Sequence, residues 1–135
     1  MTASFFSTLG QAVTAFEANT AVSSGGGMLL DNTAASLGGL KSAFIDNSAG
    51  YGPGGALFAT NRASITIMAS CLLQNNIANT YGGAVFASQS LFTVARAGRV
   101  DFRQNTCGNS GGAVFLTASA WISQGNASFT GESTC

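Results

Sequence analysis

Histidine is missing from this 135-residue sequence, and charged side chains make up only 7% of it. Without histidine, imidazole-activated nucleophiles and histidine metal sites are excluded. The five basic and five acidic residues cancel, which leaves no electrostatic footprint for nucleic acid or for an anionic membrane. We therefore expect no nucleic-acid partner and no cofactor.

Long apolar runs are lacking as well. No run reaches the roughly 18 residues of a transmembrane helix, so we expect no direct membrane insertion. The first residues carry neither a basic segment nor a long apolar stretch, so no signal peptide is predicted. Apolar residues nevertheless make up 46% of the chain. That fraction is enough for a packed core, and it excludes a disordered chain.

What the sequence does contain is a repeat. The hexapeptide GGALFA at 54–59 returns as GGAVFA at 82–87 and as GGAVFL at 111–116, with a degenerate copy, GGMLLD, at 26–31. A second motif, an aromatic residue or leucine followed three residues later by asparagine, alternates with the first. Its copies are Phe16–Asn19, Phe44–Asn47, Leu72–Asn75 and Phe102–Asn105, with a decayed fifth copy that begins at Phe129. Two motifs that stay in phase predict a solenoid.

The segments between the glycines are short and rich in β-branched and aromatic residues, which is typical of strands rather than helices. A period of roughly 28 residues accommodates one coil of a parallel β-helix. We therefore predict an all-β fold, a right-handed parallel β-helix of about five coils. Residues 1–135 would form a single β-helix segment, a fragment of a longer solenoid.

Stacking turns each repeated position into a column with a spacing of about 4.8 Å. We predict three such columns as structural ladders, the two apolar ones facing inwards. Asparagine suits the third because it tolerates the left-handed turn conformation and because stacked amides hydrogen-bond along a column. The predicted ladders are Phe16, Phe44, Leu72, Phe102 and Phe129; Leu30, Phe58, Phe86 and Phe115; and Asn19, Asn47, Asn75 and Asn105.

The alternation of Gly-Gly-Ala-(Leu/Val) and Phe-x-x-Asn resembles the repeats of the chlamydial polymorphic membrane proteins. This resemblance spans most of the chain, from about Phe16 to Phe129. It implies a β-helical passenger domain at the cell surface or outside the cell, used for adhesion. The partner would be a surface glycan or a protein receptor. A structural scaffold is the other role that we consider, and uncapped end coils also predict end-to-end self-association.

Many parallel β-helices act on polysaccharides, so a carbohydrate-active lyase or hydrolase is the alternative. Its site needs clustered carboxylates, and no two acids share a column on adjacent coils in the predicted register. We therefore expect no catalytic residue and no metal ligand in this segment, and a non-enzymatic protein. Any catalytic coils would lie outside it. An ice-binding face is disfavoured because Thr66 and Thr93 look isolated.

Two cysteines and one asparagine are candidates for covalent modification. Cys107 and Cys135 lie 28 residues apart and nearly stack on adjacent coils, which is compatible with a disulfide. Cys71 is the odd cysteine and is expected to pack as a small apolar residue. Asn126 begins the one N-glycosylation sequon, Asn-Ala-Ser.

The charge cluster of Arg96, Arg99, Asp101 and Arg103 is expected to lie in a solvated turn.

Overall fold

The computed structural model describes residues 5–131, which form eighteen short strands. In chain order these are β1 (Phe5–Thr8), β2 (Val13–Glu17), β3 (Thr20–Ala21), β4 (Met28–Asp31), β5 (Ala34–Leu37), β6 (Lys41–Ile45), β7 (Ser48–Ala49), β8 (Leu57–Thr60), β9 (Ser64–Ile67), β10 (Ser70–Gln74), β11 (Ile77–Ala78), β12 (Val85–Ser88), β13 (Leu91–Val94), β14 (Arg99–Arg103), β15 (Thr106–Cys107), β16 (Val114–Thr117), β17 (Ala120–Ser123) and β18 (Asn126–Thr130). The described residues contain no helix and hence none long enough to cross a bilayer.

The strands stack into four parallel sheets, each visited once per coil. Sheet 1 contains β1, β5, β9, β13 and β17, and sheet 2 contains β2, β6, β10, β14 and β18. Sheet 3 contains β3, β7, β11 and β15, and sheet 4 contains β4, β8, β12 and β16. The predicted parallel β-helix is therefore confirmed. The stack has about four turns of roughly 29 residues, against the predicted five coils of about 28 residues, and sheets 1 and 2 contain five strands each.

The core lies between the four sheets and is built from columns of like residues. Alternate residues of each strand point inwards, so sheet 2 contributes Phe16, Phe44, Leu73, Phe102 and Phe129 as one column. The rings of Phe16 and Phe44 stack at 4.7 Å between centroids, and those of Phe102 and Phe129 at 4.8 Å. This column confirms the predicted aromatic ladder except at one position, where Leu73 replaces Leu72.

The same one-residue shift corrects the asparagine ladder. Its members are Asn19, Asn47, Asn76 and Asn105, not Asn75. Each amide nitrogen donates to the next Oδ1, at 3.0 Å from Asn47 to Asn76 and 2.9 Å from Asn76 to Asn105. The segment CLLQNN holds two overlapping copies of the motif, and burial decides between them. Leu73 points into the core, whereas Leu72 points outwards.

The left-handed conformation belongs to the residue before each ladder asparagine. Positive φ angles occur at Ala18, Asp46, Asn75 and Gln104. Asn75 therefore takes part in the corner between sheets 2 and 3, where the left-handed backbone turns the chain. The ladder asparagines follow it. Asn47, Asn76 and Asn105 are fully buried, and their amides satisfy backbone groups of the neighbouring coils.

The Gly-Gly pairs form the corner between sheets 3 and 4. The first glycine of the pairs at 54–55, 82–83 and 111–112 has a positive φ, for example 63° at Gly82, and beside the degenerate copy this conformation occurs at Gly25. The second glycine lies against the backbone of the next coil, since a Cβ on Gly83 would overlap the carbonyl oxygens of Gly112 and Thr106. These corners fix where sheet 4 begins.

The two ends of the described stack are uncovered. Strands β1 to β4 form one edge and β15 to β18 form the other. Phe129 occupies an inward position of β18, yet it is 58% exposed because no described coil covers it. The interior residues of the middle coils, such as Phe44 and Phe102, are fully buried instead.

Candidate binding surface

The outer face of sheet 4 carries an aromatic column. Phe58, Phe86 and Phe115 pair in register with one another and with Leu29. The sequence predicted this ladder, but the predicted inward direction was wrong and its first member is Leu29, not Leu30. The half-buried rings point outwards, and the residues that fill the core beside them are Leu57 and Val85.

A doubled hydrogen bond explains the reversal. The backbone N–H groups of Ala56 and Leu57 both donate to the carbonyl of Ala84, at 2.9 and 2.8 Å. Two successive residues thus face one partner, as in a β-bulge, and this resets the alternation of side chains. Ala56 and Leu57 are both buried as a result. A strict alternation of inward and outward side chains, started from the buried Ala56, therefore places Phe58 in the core, although its ring points outwards.

The rings of this column stack on one another. Their planes are within about 5° of parallel, with centroids 5.3 Å apart for Phe58–Phe86 and 5.6 Å apart for Phe86–Phe115. Tyr81 packs beside Phe115 at 4.8 Å. Because the ring faces cover each other, solvent meets mainly ring edges. The column is an apolar ridge and offers little flat aromatic surface for a sugar.

Two adjoining depressions run beside this ridge at the corner between sheets 4 and 1. We call them together the corner groove. One, of about 460 Å³, is lined by Asp31, Asn32, Asn61, Arg62 and Gln89. The other, of about 520 Å³, shares Arg62 and Gln89 and continues over Ser64, Leu91 and Ala120. The corner groove crosses successive coils and therefore runs along the axis of the stack.

Left-handed backbone places the polar side chains of the corner groove. Asn32, Asn61, Arg62 and Gln89 all have positive φ angles. The Asn61 amide nitrogen donates to Asp31 Oδ1 at 2.7 Å, across adjacent coils. Arg62 and Gln89 are exposed, and Arg62 forms no ion pair within residues 5–131. The corner groove thus combines hydrogen-bond donors with an acceptor carboxylate, and the charges of Arg62 and Asp31 balance.

The acids remain apart, as the sequence predicts. Asp31 pairs in register with Thr60, and Glu17 pairs with Ile45. Asp101 lies between Leu72 and Ser128 on the neighbouring strands. Within the part of the chain that the structure describes, no group of three or more potential metal ligands comes together.

Asp101 is held as a carboxylate. Partial burial raises its pKa, but hydrogen bonds from Ser128 and Arg99 and the charges of Arg99 and Arg103 outweigh that effect and lower it below the ordinary value. Arg99 Nε lies 3.2 Å from Asp101 Oδ2. Such a carboxylate is a poor proton donor near neutral pH. Arg99, Asp101 and Arg103 lie on the outer face of β14, which corrects their predicted placement in a turn, whereas Arg96 lies in an exposed turn as predicted.

The comparison with known protein families matches residues 70–88 to the model described as the Chlamydia polymorphic membrane protein (Chlamydia_PMP) repeat. The chain carries this repeat. The matched segment begins with β10 and ends with β12, so it includes Leu73, Asn76, the Gly82–Gly83 corner and Phe86. Comparisons with curated proteins and with solved structures gave no significant match.

The polymorphic membrane protein repeat also contains Cys71, which is a free and buried thiol. Burial, with a smaller contribution from the Asp101 charge, raises the pKa of Cys71 to about 12. The thiol therefore stays protonated at neutral pH and is not a candidate nucleophile. Cys107 is disulfide-bonded. Its predicted partner, Cys135, lies outside the described residues, so that pairing stays a prediction.

Two further sequence predictions concern the surface. Asn126 is exposed at the start of β18, and its glycosylation stays a prediction. Thr66 and Thr93 are not isolated, since they pair in register, and the same outward column of sheet 1 continues to Ser36 and Ser7. With two threonines and two serines, it does not form the threonine array that an ice-binding face needs.

The polar corner was missed from the sequence. Polar residues directly follow the hexapeptide copies at 54–59 and 82–87, as TNR at 60–62 and SQS at 88–90, and DNT at 31–33 overlaps the last residue of the degenerate copy at 26–31. That recurrence was the available signal. It could have located the corner, but the pairing of Asp31 with Asn61 depends on the coil-to-coil register.

Proposed function

We propose that this chain is a non-enzymatic segment of a cell-surface or secreted protein and that it acts in adhesion through the corner groove. The polymorphic membrane protein repeat supports a surface location. The observation that carries the proposal is the corner groove itself, where Arg62 and Gln89 project into a shallow depression with no described partner for the Arg62 charge. Shallow polar contacts repeated over several coils suit multivalent attachment.

A surface glycan is favoured as the partner over a protein receptor. Amide, guanidinium, carboxylate and hydroxyl groups line the corner groove, and these groups bind sugar hydroxyls. The apolar ridge of Phe58, Phe86 and Phe115 is only half exposed. A carbohydrate-active enzyme is less well supported because Asp31 has no second carboxylate beside it in register.

Paired substitutions test the adhesive role. We expect Arg62→Gln with Gln89→Ala to reduce binding of the labelled chain to intact cells and to polysaccharide-coated plates at least fivefold. Each lost hydrogen bond weakens binding by about 1 kcal/mol. Arg96→Gln with Gln104→Ala is the matched control, because Gln89 and Gln104 share a φ of 52° and both arginines are exposed. Equal losses in the two variants would refute the assignment, and absence of binding by the unchanged chain would favour a scaffold.

End-to-end association is a second partner proposal, carried by the uncovered edges. Phe129 presents 58% of its surface at one end, and unpaired strand edges there can bind a second copy. We expect the sedimentation coefficient to rise with concentration and Phe129→Asp to abolish the rise. Tyr51→Asp is the control, since Tyr51 is 77% exposed away from that edge. A coefficient that stays constant over a hundredfold concentration range would contradict the proposal.

A further inference from the structure

We infer that the corner groove binds a linear, uncharged polysaccharide that lies along the solenoid axis. This inference rests on the proposed function and names the class of ligand. Three features carry it: the direction of the corner groove, its balanced charge and the chemistry of its floor.

The direction of the corner groove favours a chain over a compact ligand. Its two depressions share Arg62 and Gln89, so they are continuous from Asp31 on one side to Ala120 on the other. These residues belong to successive coils, and equivalent positions on adjacent coils are separated by about 4.8 Å. That step is comparable to the length of one sugar unit. A polysaccharide aligned with the axis would meet similar groups at each unit.

The charges favour a neutral ligand. Asp31 and Arg62 line the same depression, so its formal charge is zero. The carboxylate only accepts hydrogen bonds, the guanidinium only donates, and the amides of Asn61 and Gln89 do both. This set matches sugar hydroxyls, which also donate and accept. A polyuronate would instead place a carboxylate beside Asp31, and like charges repel there.

The floor supplies apolar contact. Leu91 and Ala120 are exposed on the outer face of sheet 1, beside Ser64. The C–H faces of a sugar ring can pack on such side chains while its hydroxyls reach the polar corner. The stacked rings of sheet 4 cannot take this role because their faces are occupied by one another.

Titration calorimetry with hexasaccharides tests the inference. The probes are hexaoses of β-1,4-glucose, β-1,3-glucose and β-1,4-mannose, with hexagalacturonate as the charged counterpart. We expect at least one neutral hexaose to bind with an affinity that does not change between low and high salt, because no charge pairing is involved. Asp31→Asn should weaken that binding about tenfold and give measurable binding of hexagalacturonate.

Asp46→Asn is the matched control, since Asp46 is an exposed acid at a different corner. This substitution should change neither the affinity for the neutral hexaose nor the affinity for hexagalacturonate. The inference is overturned if the unchanged chain prefers hexagalacturonate, if salt weakens the binding of the neutral sugar, or if Asp46→Asn has the same effect as Asp31→Asn. Adhesion to cells without binding of any neutral hexaose also overturns it and leaves the proposed function standing. If the chain neither adheres to cells nor binds a neutral hexaose, both the inference and the proposed function are overturned.

Discussion

Replacing Asn76 by alanine is expected to destabilise the fold by about 3–4 kcal/mol, because buried polar groups would lose their partners. The Asn76 amide donates to the Phe44 carbonyl at 2.9 Å and to Asn105 Oδ1 at 2.9 Å. Its oxygen accepts from the backbone N–H and the side-chain amide of Asn47. Urea denaturation followed by circular dichroism measures the change.

The adjacent asparagine provides the control for this experiment. Asn75 is only partly buried and has a φ of 55°, so Asn75→Ala should cost only about 1 kcal/mol from left-handed strain. The same comparison tests the corrected register. If Asn75→Ala proved the more damaging of the two, the ladder would run through Asn75 as the sequence motif suggested.

Replacing Gly83 by alanine is expected to destabilise the fold by about 3–5 kcal/mol, or to prevent folding, because the new methyl group would overlap backbone. The carbonyl oxygens of Gly112 and Thr106 occupy that space from the neighbouring strand and corner. Neither oxygen can move without breaking the contact between coils. The midpoint of urea denaturation and the yield of soluble protein measure the effect.

Gly10→Ala separates steric overlap from backbone strain. Gly10 has a φ of 69°, but a Cβ there would meet no atom within 4 Å. This substitution should therefore cost only about 1 kcal/mol. If the two variants were equally stable, close approach of the coils at Gly83 would not be what requires glycine.

The repeat made the architecture predictable from the sequence. Columns such as Phe44 and Phe102 repeat often enough to specify stacking. The prediction of individual ladder positions was wrong where the sequence allowed two registers or where a backbone irregularity left no mark in the sequence. CLLQNN contains two copies of one motif, and only the burial of Leu73 and Asn76 distinguishes them. The reversal at Phe58 depends on two N–H groups that share the Ala84 carbonyl, and no residue type signals that geometry.

The candidate site was less predictable than the fold. Asp31, Asn61 and Arg62 are ordinary polar residues in sequence, and only the recurrence of polar residues after the Gly-Gly hexapeptide suggests that they share a corner. They meet because β4 and β8 pair in register and the chain then turns through left-handed residues. A binding surface on a solenoid is thus a property of neighbouring coils, and a single repeat does not contain it.

The stacking of coils also sets how stability is distributed along the chain. Each strand pairs only with its counterparts in the coils before and after it, so the molecule behaves as a one-dimensional array. A middle coil gains from two interfaces and an end coil from one. Local opening should therefore spread inwards from the ends. The matched repeat at residues 70–88, which has coils on both sides, would be the last part to exchange its amide protons.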